Sequence, residues 1–309
     1  MSTSDLSPFT AELGAAGVTP EIARRFRQHI YRFYQEHGRR LPWRETSDPY
    51  HILVSEIMLQ QTQVERVALK YGPFLQAFPD VASLAAAPLR EIMLHWQGLG
   101  YNRRALALQR LAQRLVTEFQ GQLPPEAAIL RTLPGIGPAT AGALAAFAFQ
   151  QPVVFIETNI RRVFLHSFFK GQTAIRDREI LPLLAATLDR HRPRPWYYAL
   201  MDYGVWLKRA VPNPNRRSIH YQRQPAFAGS DRQIRGLILK TALQEPALSL
   251  EDLVRAVGKN PARTRGLIET LVKEGFLEQT GTCLKIASRP APSPGGPGFE
   301  ITPHSKMPK

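Results

Sequence analysis

The sequence predicts a mainly α-helical body followed by a small winged-helix (α+β) module, and three observations carry that prediction. Apolar residues recur at helical spacing from Thr19 to Arg209, with no alternating strand-like repeats. Two of those helices meet at Leu133-Pro134-Gly135-Ile136-Gly137, a turn too glycine-rich to continue either one. From Asp231, three helical periods precede two short β-type runs joined by Thr280-Gly281. A chain of 309 residues has room for two or three domains and a sizeable core. The expected division is a flexible N-terminus over 1–18, a helical body over 19–209, a basic linker over 210–230, a winged-helix-like domain over 231–287 and a disordered tail over 288–309.

Thr19 offers an N-cap for a first helix, whose apolar positions Ile22, Phe26, Ile30, Phe33 and Tyr34 run out near Gly38. Asp48-Pro49-Tyr50 opens a second helix, with Pro in its first turn, that runs to about Gln61. Ile52, Leu53, Glu56 and Leu59 share one face of it, so Glu56 points with the apolar side chains. Such a carboxylate is either a buried structural partner of an Arg or N–H, or an acid with a raised pKa. The polar cluster Gln60-Gln61-Thr62-Gln63 follows, suited to base edges or simply a solvated helix end. Further helices are expected over 64–78, Val81–Ala86 and Leu89–Trp96. Gly98-Leu99-Gly100-Tyr101 then makes a tight turn before a basic helix over 102–119. Tyr101 can wedge into a base stack there, or pack half-buried.

The stretch 124–162 is the centre of the chain. An apolar helix over 126–130 runs into the Leu133–Gly137 turn, and an Ala-rich helix follows over Pro138–Phe149. Pro138 at a helix start costs no hydrogen bond. The turn leaves backbone N–H groups at a helix N-terminus, where DNA phosphate can bind; Gly-Ile-Gly alone favours an ordinary helix–turn–helix corner. An apolar strand-like run then ends on Glu157, before Thr158-Asn159-Ile160-Arg161-Arg162 opens a helix to about Phe169. Helices over 177–191 and 196–209 complete the body. Residues 204–230 hold Lys208, Arg209, Arg216, Arg217 and Arg223 but no acid, around a Pro212-Asn213-Pro214-Asn215 core that breaks regular structure. Such a linker lies along phosphates or merely connects. In the last domain the third helix, over 261–275, carries Arg263, Arg265 and Lys273; it would enter a DNA groove, or the module binds protein.

The net charge of +15 asks for a polyanionic partner, and nucleic acid is the first choice. No apolar run approaches the roughly 20 residues that span a bilayer. The N-terminus lacks the basic start and apolar core of a secretion signal. A single cysteine, Cys283, excludes an internal disulfide and any cysteine-ligated zinc or iron–sulfur site, and the eight histidines are scattered. The expectation is an intracellular, cytoplasmic protein, associated with the nucleoid in a prokaryote.

Taken together, residues 41–206 resemble the helix–hairpin–helix DNA glycosylases (the HhH-GPD superfamily), most closely its MutY-type A/G-specific adenine glycosylases. The resemblance rests on Leu41-Pro42-Trp43, on Ser55-Glu56-Ile57-Met58-Leu59-Gln60-Gln61-Thr62-Gln63, on Gly98-Leu99-Gly100-Tyr101, on Leu133-Pro134-Gly135-Ile136-Gly137, on Thr140-Ala141-Gly142-Ala143, on Thr158-Asn159-Ile160-Arg161-Arg162 and on Met201-Asp202-Tyr203-Gly204. It implies a two-lobed helical fold with a cleft between the lobes, and removal of a mispaired base, adenine opposite guanine or 8-oxoguanine. Glu56 would be the general acid and Glu157 the carboxylate that stabilises the sugar cation, with Asn159 holding the constellation. Gln60, Gln61 and Tyr101 would fill or probe the duplex where the base left. Leu133, Gly135, Ile136, Gly137, Arg161, Arg162, Lys208, Arg216 and Arg217 are the further expected DNA contacts.

The departures from the family pattern also carry expectations. Glu157 stands where the family has Asp. Ala139 stands where endonuclease III-type relatives have a nucleophilic Lys, so no Schiff-base strand cleavage is expected. Lys208 stands where the first cluster cysteine would fall, so no iron–sulfur cofactor is expected. The winged-helix-like module replaces the domain that reads 8-oxoguanine. The expected partner is double-stranded DNA with a mismatched or oxidised pair, bound by a monomer, with no membrane and no metal. Two other readings fit the same residues: a mismatch thymine or uracil glycosylase, and a non-catalytic damage-binding protein.

Overall fold

The computed structural model describes Phe9, residues 17–245 and residues 247–288. The tail expected over 288–309, Ser288 excepted, and nearly all of the N-terminal segment lie outside the described residues. Contacts divide the chain into two units. The first runs through Ala87 and over Glu91–Arg232; the second takes Pro88–Arg90 and the residues from Gln233 on. The linker expected over 210–230 therefore groups with the body.

The first unit is built of α1 (Pro20–His37), α2 (Pro49–Leu59), α3 (Val64–Ala77), α4 (Val81–Ala86), most of α5 (Leu89–Trp96), α6 (Arg103–Phe119), α7 (Ala127–Leu130), α8 (Pro138–Phe149), α9 (Thr158–Phe168), α10 (Asp177–Thr187) and α11 (Pro193–Ala210). They pack as two groups. In one, α2 lies against α3, α6 and α8, while α4 covers α6 and α7 covers α8. Its core is mostly aliphatic: Ile52, Leu53, Val54, Ile57, Leu108, Leu111 and Leu144 are all buried. In the other, α11 lies against α1 and α9, with α10 closing the side. That core is aromatic, with Phe26 meeting Phe164, Phe168 and Trp196 at centroid distances of 5.5, 5.0 and 5.9 Å. The chain starts in the aromatic group, makes the aliphatic one and returns. Helix α8 also touches α11, joining the two.

The second unit contains most of α12 (Asp231–Gln244), then β1 (Leu248–Ser249), α13 (Leu250–Val257), α14 (Pro261–Glu274), β2 (Leu277–Thr280) and β3 (Cys283–Ile286). The strands form one antiparallel sheet in the order β1-β3-β2, with Leu248 opposite Leu284 and Leu277 opposite Ile286. Three helices with a β-wing is the expected architecture; β1, only two residues long, carries too little pattern to be read from sequence. Among the described residues no helix is long and apolar enough to cross a membrane.

Three local expectations are corrected. The apolar run before Glu157 is not a strand: Val153 and Phe155 pass in extended coil, with Phe155 buried against α8 and α11 residues Phe147 and Tyr197. Helix α10 stops at Thr187, because Asp189 accepts hydrogen bonds from the N–H groups of His191 and Arg192 and turns the chain before Pro193. The Pro212–Asn215 core is partly regular: Pro214–Arg217 forms a 3₁₀ turn, and the buried Asn215 donates to the Thr158 carbonyl at 3.0 Å.

Candidate active site

Helix α2 begins where Asp48 Oδ1 accepts from the N–H groups of Tyr50 and His51, at 2.7 and 3.1 Å. That start fixes Glu56 seven residues on, with Ser55 and Ile57 buried beside it. Glu56 is half-buried and accepts no hydrogen bond among the described residues. Burial, the charge of Glu157 and, against them, the Arg44 guanidinium place its carboxyl at about 8. At neutral pH it is therefore a protonated acid in an apolar setting.

Glu157 has the opposite surroundings. It is the N-cap of α9, and its Oε1 accepts from the N–H groups of Asn159 and Ile160, at 2.8 and 2.7 Å. Its Oε2 accepts from Asn159 Nδ2 at 3.2 Å. Burial pushes the carboxyl above its ordinary range, while the two backbone bonds, Arg162 and Arg161 pull it back. Three donors and the positive end of α9 favour its charge, and Glu56 has nothing comparable. Of the two, Glu157 is the one whose surroundings support the ionised form.

The support behind Glu157 is continuous. Asn159 Oδ1 accepts from Arg162 Nη1 at 2.7 Å, and the same nitrogen donates to the Gly204 carbonyl at 2.7 Å. Helix α11 approaches closely there: a Cβ on Gly204 would sit 2.4 Å from the Asn159 carbonyl oxygen and 2.8 Å from its Cβ. On the other side of the site, Asp202 accepts from Arg44 Nη1 and Nη2, both at 2.8 Å, and from Arg39 N and Nε, at 2.8 and 2.7 Å. Burial is offset by these bonds, and Asp202 stays below its ordinary range. The clamp holds Arg44 over the Tyr198 ring at 4.4 Å. Asp202 stands in the Met201-Asp202-Tyr203-Gly204 motif, and a lone Asp on a helix otherwise apolar around it is the signal the sequence offers for this clamp.

The hairpin has the geometry expected of it. Gly135 adopts φ +79°, where only glycine is unstrained, and a Cβ there would meet Ala107 Cβ at 3.0 Å. The N–H groups of Gly135 and Gly137 are exposed residues' amides without a partner among the described residues. Leu133 and Ile136 have buried side chains, and their amides bond to the Leu130 and Leu133 carbonyls, so they hold the turn. Gln60 also acts inward, its Nε2 donating to Gly135 O and Thr140 Oγ1, both at 3.1 Å. It ties α2 to the hairpin. Gln61 is exposed at φ +55° and remains available.

Tyr101 sits at φ +47°, its ring between two guanidinium groups, each 5.6 Å away, of Arg104 and Arg232. Arg232 Nη1 donates to its hydroxyl at 2.6 Å, and Gln224 also reaches it. Arg104 reads in the sequence only as one cation of the basic helix. It is buried, faces no carboxylate, and donates to the carbonyls of Ile57, Met58 and Gly100 at 2.8, 2.7 and 3.0 Å and to Thr62 Oγ1 at 2.8 Å. It joins the end of α2 to the Tyr101 turn. Burial lowers its pKa to about 10, so it stays charged. Three further cations expected on DNA have partners within the chain. Arg161 makes a two-pronged ion pair with Asp177, at 2.7 and 2.6 Å. Arg162 is buried behind Asn159, and Arg217 is half-buried, donating to Phe169 O at 2.6 Å. Lys208 and Arg216 are exposed. Among the described residues no group of His, Cys, Asp and Glu could hold a metal ion.

The HhH-GPD superfamily of base excision DNA repair proteins matches residues 54–181, which contain both carboxylates and the hairpin. The IclR helix-turn-helix domain matches residues 242–281. The adenine DNA glycosylase of Mycolicibacterium smegmatis is 32% identical over 266 residues, covering 80% of this chain and 91% of that protein. That of Buchnera aphidicola subsp. Baizongia pistaciae is 37% identical over 187 residues, 59% of this chain and 52% of that protein, so the match takes in about half of that relative. Among solved structures, a thermostable thymine-DNA glycosylase aligns with a TM-score of 0.53 at 25% identity, covering 59% of this chain and 85% of that one.

Proposed function

We propose that this chain, which belongs to the adenine DNA glycosylase family within the HhH-GPD superfamily, is a monofunctional glycosylase that removes mispaired adenine from DNA. The observation that carries the reading is the pair of unlike carboxylates: a protonated Glu56 without hydrogen bonds and a charge-favouring Glu157 held by three. A flipped purine in the cleft receives the Glu56 proton on a ring nitrogen. The bond from that base to C1′ then breaks with its electron pair leaving on the base, and an oxocarbenium-like sugar forms. The Glu157 carboxylate faces that positive charge. Water adds to C1′ and loses a proton, giving free adenine and an abasic site.

Ala139 offers no amine for a Schiff base, so the phosphodiester backbone is left intact. The chain's one cysteine cannot supply the four thiolates of an iron–sulfur cluster, and we propose that the enzyme works without one, as a monomer in the cytoplasm. Adenine opposite guanine or 8-oxoguanine is the proposed substrate. Excision of a pyrimidine makes less demand on a ring-protonating acid, and the Glu56 pKa of about 8 favours a purine. Single-turnover excision on A:8-oxoG, A:G, T:G and U:G duplexes, with and without alkali afterwards, tests this. Adenine release with nicks only after alkali is the expected result. Release of thymine or uracil alone, or tight binding with no release, would overturn it.

A further inference from the structure

A chain of ring–guanidinium contacts leads from the core of the body to its surface. Trp96 is fully buried, and the Arg104 guanidinium lies 5.4 Å from its ring and 5.6 Å from the Tyr101 ring. Arg232 continues the chain, 5.6 Å from the Tyr101 ring and 6.0 Å from the Phe227 ring. The inner end is tied to the helix that bears Glu56, because Arg104 Nη1 donates to the carbonyls of the next two residues, Ile57 and Met58. The outer end is open, with Phe227 60% exposed. Its backbone is nonetheless fixed. The Phe227 carbonyl accepts from Ser230 N at 3.1 Å and from Ser230 Oγ at 2.7 Å, and Arg232 Nη2 donates to the Pro225 carbonyl at 2.8 Å. A lone apolar side chain in water calls for no explanation, but this one is presented by a closed turn and backed by four stacked groups. Tyr101, expected from the family resemblance to probe the duplex, is an interior member of the same stack. Guanidinium groups flank its ring, and Arg232 and Gln224 both hold its hydroxyl. Tyr101 must leave those partners to meet a base, whereas Phe227 reaches one with every bond of the stack intact.

We propose that Phe227 stacks on a nucleobase of the DNA and fills the gap left when the target base turns out of the duplex, with Trp96, Arg104, Tyr101 and Arg232 as its support. Every base presents a π-face, so the contact requires no particular sequence. A ring that enters an intact base step must first unstack it, whereas extrusion of one base has already opened the step. The cations beside the ring and the absence of any acid over residues 204–230 favour nucleic acid over a protein surface as its partner. The proposal rests on the reading of this chain as a DNA glycosylase and holds whichever base is removed.

The test uses the full chain and two duplexes. One is fully paired; the other has a single A:G mismatch whose adenosine carries a 2′-fluoro group and resists cleavage. Phe227→Ala is expected to weaken binding of the mismatched duplex about tenfold and of the paired duplex less than about twofold. The salt slope of each should stay as in wild type, since no phosphate contact is removed. The ring lies largely outside the core, so the variant should keep the wild-type melting temperature. Phe227→Trp should restore the affinity, and its added fluorescence should fall when the mismatched duplex binds. Wild-type binding of both duplexes by Phe227→Ala, or an equal loss on both, would overturn the proposal. Adenine release by wild type from an unmodified A:G duplex is measured alongside. Release together with an unaffected Phe227→Ala removes the proposal and leaves the glycosylase reading standing; a mismatch-specific loss of binding without any release does the reverse.

Discussion

The two carboxylates proposed to act on the substrate are chemically identical side chains, and the backbone around each gives it different surroundings. Glu56 lies in the middle of α2, where every N–H is already used by the helix. Glu157 lies one residue before α9, where the first N–H groups have no helical partner and turn to it instead. An acid and an anion can therefore stand within electrostatic reach of each other without sharing roles. A helix interior makes a proton donor; a helix beginning makes a charge holder.

Glu56→Gln should break the comparison most completely. It removes the proton donor from a place where no hydrogen bond depends on it, so single-turnover excision should fall by about 10² to 10⁴-fold. The melting temperature should hold or rise; retained excision would sink the assignment of the acid. Glu157→Gln keeps an acceptor for α9 but loses the charge, and excision should drop about 10²-fold with little loss of stability. Glu157→Ala adds the lost cap, about 1 kcal/mol in denaturant unfolding.

Raising pH sharpens the contrast further. Excision should fall about tenfold per unit above pH 8 as Glu56 loses its proton. The stability consequence has the same sign. Glu56 titrates near 4.5 in the unfolded chain and at about 8 when folded, so its contribution is full below 4.5 and is lost as pH rises through 8. Unfolding curves for wild type should show that slope, and those for Glu56→Gln should not. The smallest effect on excision is expected for Gly204→Ala. Its added methyl must displace the Asn159 backbone, at about 1–3 kcal/mol in stability, with a several-fold loss of excision and no change in its pH profile.

Much of this was legible in the chain. Helix starts at Thr19, Asp48 and Pro138 are written in capping residues, and Glu56 declared itself by sharing a face with Ile52 and Leu59. What stayed hidden were partnerships formed across long separations. Arg162 and Arg161 follow Glu157 in a basic run and read as phosphate contacts, yet Gly204 and Asp177 take them up. Arg104 looked like one more cation on a basic helix. Only the folded chain shows that its acceptors are carbonyls from residues 57 to 100, and no spacing rule connects them. Cations in this protein divide by whether the fold supplies acceptors, which charge counting cannot see.

The bond from Glu157 to the first turn of α9 also bears on how variants of this enzyme would be sorted in a cell. A side chain that begins a helix and is also proposed to face the reacting sugar cannot be truncated without lowering the amount of folded protein. A survey that scores variants by abundance would file Glu157→Ala under instability, and would pass Glu56→Gln as healthy, although both are expected to lower excision. Abundance and repair must be read on the same cells to tell them apart.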